Sequence, residues 1–284
     1  MTDERLKRRA AIMRRMRSFF DERGFIEVET PVRIAAPAPE EHIDCPPVTS
    51  GGFLRASPEL QMKKLLAEGM ERIYQIGPCF REGERGSRHS PEFSMLEWYR
   101  RGATYLDIAR DLEDLLAALD IPGCRRLEGP FARLGVCEAY VRHAGWDPWA
   151  EWDADRFDFD MAMKIEPAIR AQGGGVFLMD YPPAAASLAR VSPLGVAERW
   201  EFYWEGLELA NCFTELCDAE EQARRFEKAR SARQTLGEAD YPIDEEFLAV
   251  LPCIGSAAGV ALGVDRLVMA LTGANTIDSV RCHG

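Results

Sequence analysis

Residues 80–99 read FREGERGSRHSPEFSMLEWY, in which Arg81, Arg85, Arg88 and His89 stand among Glu82, Glu84 and Glu92 between two apolar, strand-like ends. Cations at that density can hold an anion such as a phosphate. The far end offers the opposite chemistry. Alternation from Phe93 puts Phe93, Met95, Glu97 and Tyr99 on one face of a strand, and Ser94, Leu96 and Trp98 on the other. A strand burying Leu96 and Trp98 normally turns plain polar residues to water. An aromatic, a carboxylate and a phenol suit the floor of a ligand site instead, although for Glu97 alone a solvated position is the plainer account.

A second unusual residue is Arg266. It falls in the first turn of an apolar helix, where the macrodipole disfavours a cation; a surface pair with Asp265 would offset this. The segment before it, GSAAGVALGVD, is a glycine-punctuated strand, and a strand that feeds an arginine at a helix N-terminus also builds an anion site. Gly259 and Gly263 let a ligand approach the backbone. Neither G-x-x-x-x-G-K-[ST] nor G-x-G-x-x-G occurs, which excludes the common phosphate loops.

The elements that must carry these residues are legible in outline. Apolar positions from Leu6 to Phe20 predict a helix over 4–23 closed by Gly24, and FIEVETP reads as a strand stopped by Pro31. Residues 34–53, rich in Pro and Gly, read as a loop. Ser57 caps a helix over SPELQMKKLLAEG; IYQIGPCFR and PEFSMLEWYR form an antiparallel pair. Thr104 caps a helix over 104–119, and residues of about 120–172 read as a small helical insertion with loops. GGGVFLMDYP is a buried strand, WEFYWEGLELA a hairpin turning at Glu205-Gly206, and DAEEQARRFEKARSARQTL a charged helix. Helices interleaved with antiparallel strands predict one α+β domain over residues 1–284.

Composition narrows the class. Hydrophobic content of 46% and charged content of 29% are ordinary for a globular chain. No apolar run reaches the roughly 18 residues of a membrane span. The charged N-terminus lacks a signal-peptide core, and Asp3 and Glu4 argue against a transit peptide, so a cytoplasmic location is expected. The eight cysteines include no C-x-x-C pair and the four histidines no metal spacing. A net charge of −12 repels a polyanion despite the basic residues between 5 and 17, so tRNA is not an expected partner.

Three stretches, in order across nearly the whole chain, resemble the class II aminoacyl-tRNA synthetase catalytic core. GFIEVETP is similar to motif 1, FREGERGSRHSPEF to motif 2 and GVALGVDRLVM to motif 3. SPELQMKKLL, RHSPEFSMLEWY and ELANCFTELCDAEEQARRF resemble the lysine branch. Motif 1 falls within the first 31 residues, which leaves no room for an N-terminal anticodon-binding barrel. With LELAN and GVALGVDR, the chain resembles the elongation factor P β-lysine ligase family, whose members modify a protein lysine.

The resemblance implies an antiparallel sheet flanked by helices, a homodimer built on motif 1, and ATP with Mg²⁺. Carried onto this sequence, Arg81 and Arg266 are the catalytic positions, Arg81 at the α-phosphate and Arg266 sandwiching adenine with Phe93. His89 lies near the phosphates, and Glu82, Gly83, Glu84, Ser90, Leu209 and Gly263 complete the ATP contacts. Glu208 and Glu215 match an acidic pair for Mg²⁺. Ser57, Glu59, Glu97, Tyr99, Glu215 and Ala261 line the amino-acid side, where carboxylates and a phenol suit the two ammonium groups of lysine or (R)-β-lysine. Ala261 stands where lysyl-tRNA synthetases carry glycine, and its methyl narrows the pocket near the substrate amine; simple packing is the competing account.

Departures accompany the likeness. Gly83 occupies the usual motif 2 glutamate position, leaving Glu82 or Glu84 to take its contact; Ser90 replaces an asparagine. Cys212 replaces a glycine near Glu208, and the tail ends Arg281-Cys282-His283-Gly284 where an apolar segment is usual. The leading expectation is an AMP-forming ligase that transfers lysine or (R)-β-lysine to a lysine of elongation factor P. A free-standing adenylating enzyme with another acceptor, tRNA included, and a non-catalytic regulatory paralogue are the alternatives.

Overall fold

Fully buried Ile12, Met16, Phe19 and Phe20 make the apolar stripe of α1 (Thr2–Asp21), each stabilising the fold by roughly 1.5–3 kcal/mol relative to an exposed position. In this computed structural model residues 2–282 are described, so His283 and Gly284 of the tail lie outside it. Gly24, at φ +71°, turns the chain out of the helix into β1 (Ile26–Glu27). A loop bounded by β2 (Arg33–Ile34) and β3 (Phe53–Leu54) leads to α2 (Glu59–Ala67). The long hairpin follows as β4 (Arg72–Phe80) and β5 (Glu92–Arg101). Asp107 accepts from both the backbone and the hydroxyl of Thr104, which starts α3 (Tyr105–Ala118).

The stretch read as a helical insertion contains α4 (Val136–His143), α5 (Ala154–Asp160) and α6 (Glu166–Gln172), but also β6 (Ala132–Gly135), an edge strand of the main sheet. Four residues are too few to show alternation, which hid this strand in the sequence. After β7 (Gly175–Tyr181), the strands β8 (Ala197–Trp204) and β9 (Leu207–Thr214) join at Glu205 and Gly206, both left-handed at φ +48° and +73°, the backbone a tight hairpin needs. The chain ends with α7 (Ala219–Leu236), α8 (Glu245–Val250), β10 (Ala257–Gly263) and α9 (Val264–Thr272).

Eight strands form one sheet in the order β1-β4-β5-β10-β9-β8-β7-β6, antiparallel except where β1 meets β4 and β6 meets β7. This is the expected α+β architecture. One face, with Leu96, Trp98, Val260, Leu262, Cys212 and Trp200, packs with α1, α3 and α9 into the largest core. The other face carries a cluster around Tyr140 and Tyr203 at the β6–β8 end, and another around α2 and α8 at the β4–β5 end. Between those flanks, the middle of the sheet is a floor.

Candidate active site

Register assembles that floor in rows. Glu97 of β5 lies beside Ala261 of β10, Ala261 beside Asn211 of β9, and Asn211 beside Glu201 of β8. The neighbouring row runs Tyr99, Gly259, Phe213, Arg199. The alternation inferred from Phe93 holds: Leu96 and Trp98 are in the core, and Glu97 and Tyr99 are on the opposite face. A β-bulge then changes parity in β9. Tyr203 opposes Glu208 while Phe202 opposes Ala210, so Leu209 has no cross-strand partner and joins Ala210 in the core. Without it, Glu208 would face away from Asn211.

At the β5 end, Glu97 is fully buried. It accepts from the Ser57 hydroxyl at 2.7 Å through Oε1 and from the Tyr99 hydroxyl at 2.7 Å through Oε2. Burial, reinforced by repulsion from Glu59 and opposed by those two donors, pushes its pKa up to about 7. Ser57 also accepts from the Glu59 backbone N–H at 3.0 Å, but α2 has its N-cap at Pro58, one residue beyond the cap expected at Ser57. Buried Lys63, one turn after Glu59, lies 2.5 Å from Glu59 Oε1 and 2.5 Å from Glu215 Oε2. Burial acts to lower the Lys63 pKa, and the two carboxylates overcome it and raise it. Burial holds Glu215 above the ordinary carboxylate range. Gly259 serves this cluster and not a ligand: a Cβ there would stand 2.1 Å from the Tyr99 ring and 2.9 Å from Glu215 Oε1.

At the other end, Arg266 Nη1 donates to Glu208 Oε2 at 3.2 Å and to the Glu208 carbonyl at 3.0 Å, while its Nη2 donates to His89 Nε2 at 2.7 Å. Burial and the Arg266 charge push the His89 pKa down, so the imidazole is a neutral acceptor. Asp265 does not offset Arg266. It accepts from the Ser94 backbone N–H at 2.7 Å and pairs with Arg9 at 2.6 Å. Gly263 caps α9, and the Arg266 side chain passes 3.7 Å from where its Cβ would be. Arg81 lies 5.3 Å from the centre of the Phe93 ring and 3.6 Å from Glu84, with its buried Nε unpartnered. The cation over Phe93 is therefore Arg81.

Two details of the sequence reading change. Leu209 is buried in the core at 2% exposure, so only its backbone faces the site. Cys212 is likewise in the core and does not crowd Glu208. Glu208 and Glu215 stand toward opposite ends of β9, Glu208 paired with Arg266 and Glu215 with Lys63. Glu208 has a nearer carboxylate in Glu201, diagonal to it across β8, whose repulsion after burial is the main charge effect raising its pKa. Two carboxylates that repel one another fit a dication between them and phosphate oxygens.

The motif 2 variations also find reasons. Gly83 sits at φ +75°, a conformation a glutamate resists, and Glu82 is exposed while Glu84 turns to Arg81. Ser90 accepts from Arg281 of the tail at 2.5 Å, and the Ile277 N–H donates to the Ser87 carbonyl at 2.8 Å, so the C-terminal segment holds the loop. Sequence reasoning missed Lys63, Arg199, Glu201, Asn211 and Phe213. The alternation Arg199-Trp200-Glu201-Phe202 was the available signal for β8; Lys63 had only its spacing from Glu59.

Residues 1–284 match the family described as tRNA synthetases class II (D, K and N). The chain is 39% identical to the elongation factor P--(R)-beta-lysine ligase of Mannheimia succiniciproducens, over 97% of this chain and 93% of that protein. The chain belongs to this ligase family. Its counterparts from Vibrio campbellii and Proteus mirabilis are each 37% identical, covering 98% and 97% of this chain and 94% and 93% of theirs. Among the described residues of this family member, no helix is long and apolar enough to cross a membrane.

Proposed function

We propose that this chain activates lysine or (R)-β-lysine with ATP and transfers the acyl group to a lysine side chain of elongation factor P, in the cytoplasm and as a homodimer. The carrying observation is the charge of the buried cluster. Glu59 and Glu215 share a single internal ammonium, Lys63, and Glu97 accepts only from neutral hydroxyls, so the cluster holds more carboxylates than cations, which suits a substrate bearing two ammonium groups. Arg81 and Arg266 stand on the same floor toward the other end, where phosphates belong. The family membership supports the ligase reading, and the names of the relatives support this acceptor and amino acid.

In the first step a substrate carboxylate oxygen attacks the α-phosphorus of ATP and pyrophosphate leaves. Two anions must meet, so the site must supply positive charge where the negative charge accumulates. Arg81 faces the α-phosphate and Arg266 the nucleotide once His89 and Glu208 release it. Glu201 and Glu208 would hold Mg²⁺, which spreads charge on the phosphates. Glu97, with Tyr99 and Ser57, takes the far ammonium and so fixes the carboxylate at attack distance. In the second step the neutral ε-amine of the acceptor attacks the carbonyl carbon, the bond to the AMP oxygen breaks, and the amine loses a proton. No protein nucleophile is needed.

The test is intact-mass analysis of elongation factor P after incubation with the protein, ATP, Mg²⁺ and either amino acid. A mass gain of one lysyl group is expected. Pyrophosphate release without that gain would point to another acceptor, and no ATP turnover to a regulatory paralogue.

A further inference from the structure

The loop joining β2 to β3 has no extended secondary structure, yet it is firmly pinned. Buried Arg233 of α7 donates from Nη1 to the Glu40 carbonyl at 2.8 Å and to the Ile43 carbonyl at 3.1 Å, and from Nη2 to Asp44 Oδ1 at 2.5 Å. The Tyr241 hydroxyl accepts from the Cys45 N–H at 2.8 Å. Few loops are held by a fully buried arginine at such cost in desolvation. What the anchoring fixes is the position of Glu40.

The Glu40 carboxylate lies in the field of Arg81, Glu59, Arg199 and Lys63, so it belongs to the site although it comes from outside the sheet. Among the described residues it makes no hydrogen bond or ion pair of its own. Burial raises its pKa against the pull of Arg81. Beside it is a cavity of about 20 Å³ lined by Glu40, Ser57, Glu59 and Gln61 together with apolar Ile34 and Leu60, room for about one water-sized group. Its two carboxylates, Glu40 and Glu59, are acceptors only, and stand beside the Gln61 amide and the Cys45 thiol. The Gln61 Oε1 is buried without a partner, and the Ser57 proton is already committed to Glu97. A lining of that kind takes a donor, and an ammonium group has the size and three protons to satisfy it.

We propose that Glu40 is a specificity-determining residue: it receives the substrate amine nearest the reacting carboxyl group and so reads the amine's distance from that carboxyl. The placement follows from its neighbours. Arg81 marks where the carboxylate meets phosphate, and Glu97 with Tyr99 marks the far ammonium, so an amine near both Arg81 and Glu59 is the near one. Moving it from the α to the β carbon displaces it by about one C–C bond, 1.5 Å. A rigid loop carboxylate detects such a shift, whereas a mobile one would follow it. This inference rests on the proposed lysine or β-lysine activation.

The test is ATP–pyrophosphate exchange by the full chain, wild type and Glu40→Gln, with (R)-β-lysine and with lysine. The amide keeps the shape and removes the charge. The amino-acid KM is expected to rise by about tenfold or more while the ATP KM stays within about twofold, and the kcat/KM ratio between the isomers shifts. Glu40→Asp, which keeps the charge, recovers part of the loss. An amino-acid KM within about twofold of wild type overturns the proposal. So does a parallel rise in the ATP KM, which would make Glu40 an orienter of Arg81. Wild-type protein without exchange on either amino acid refutes the proposed function, and this inference with it, before any variant is read.

Discussion

Glu97 is held between two opposing demands: its burial favours the neutral acid, and the proposed substrate ammonium requires the carboxylate. With its pKa pushed up to about 7, the ligand-free site carries a proton there below neutrality. The sign for stability follows. The folded protein binds this proton more tightly than the unfolded chain, whose carboxylate titrates near 4.5, so the neutral form's stability is fully present at low pH. It is lost as pH rises from about 4.5 through 7, by on the order of 3 kcal/mol. A bound ammonium restores that loss. The amino-acid KM should therefore fall as pH rises from 6 to 8, with substrate raising the melting temperature more at pH 8. Glu97→Gln should abolish the inflection as well as weaken binding, and a pH profile unchanged by that substitution would exclude the role. Lys63→Met leaves Glu59 and Glu215 buried without their cation and should destabilise the fold by about 3–5 kcal/mol in chemical denaturation. Adding Glu215→Gln should recover part of that. Arg81→Ala, at a partly exposed position, should instead fold normally and lose pyrophosphate exchange.

Among the elements, the motif-bearing strands were legible because their apolar residues recur at a simple period. Leu96 and Trp98 in the core, and Glu97 and Tyr99 opposite them, are where alternation puts them. What was not legible depends on breaks in that period. The bulge at Leu209 sets the facing of Glu208 and leaves no composition signal, and β6 is too short to alternate. Glu201 was missed for another reason: a motif gives residue types in order, whereas only register shows that Glu201 of β8 stands diagonal to Glu208 of β9. Glu40 was invisible for a third reason, since a loop residue is placed by its anchors, and Arg233 lies 193 positions away. The loop between β4 and β5 has its own distant anchor in the C-terminal segment, through Arg281 to Ser90 and Ile277 to Ser87. Arg281→Ala should raise the ATP KM by about tenfold, the worth of one charged hydrogen bond, and leave the amino-acid KM unchanged. Equal rises in both would show a general loosening instead.

Over the whole molecule, charge decides which acceptor is compatible. The sequence carries −12, and several cations in and just after α1 already have carboxylate partners. Arg9 pairs with Asp265, Arg15 with Glu22 and Arg17 with Glu27, while Arg23 reaches Asp114. Cations that already have carboxylate partners gain little by meeting phosphates, because each new contact must break an existing one before counterions are released. In the proposed function the site repeats the pattern, its arginines receiving ATP at one end and its carboxylates ammonium at the other. Fluorescence anisotropy with labelled tRNA at about 0.15 M salt should show no specific association, and lowering the salt should recover only weak binding. Elongation factor P should be acylated under the same conditions with little sensitivity to added tRNA. The opposite result, tight tRNA binding with the steep salt slope of many phosphate contacts, would mean that these ion pairs open on contact with RNA, and would make tRNA the acceptor to test first.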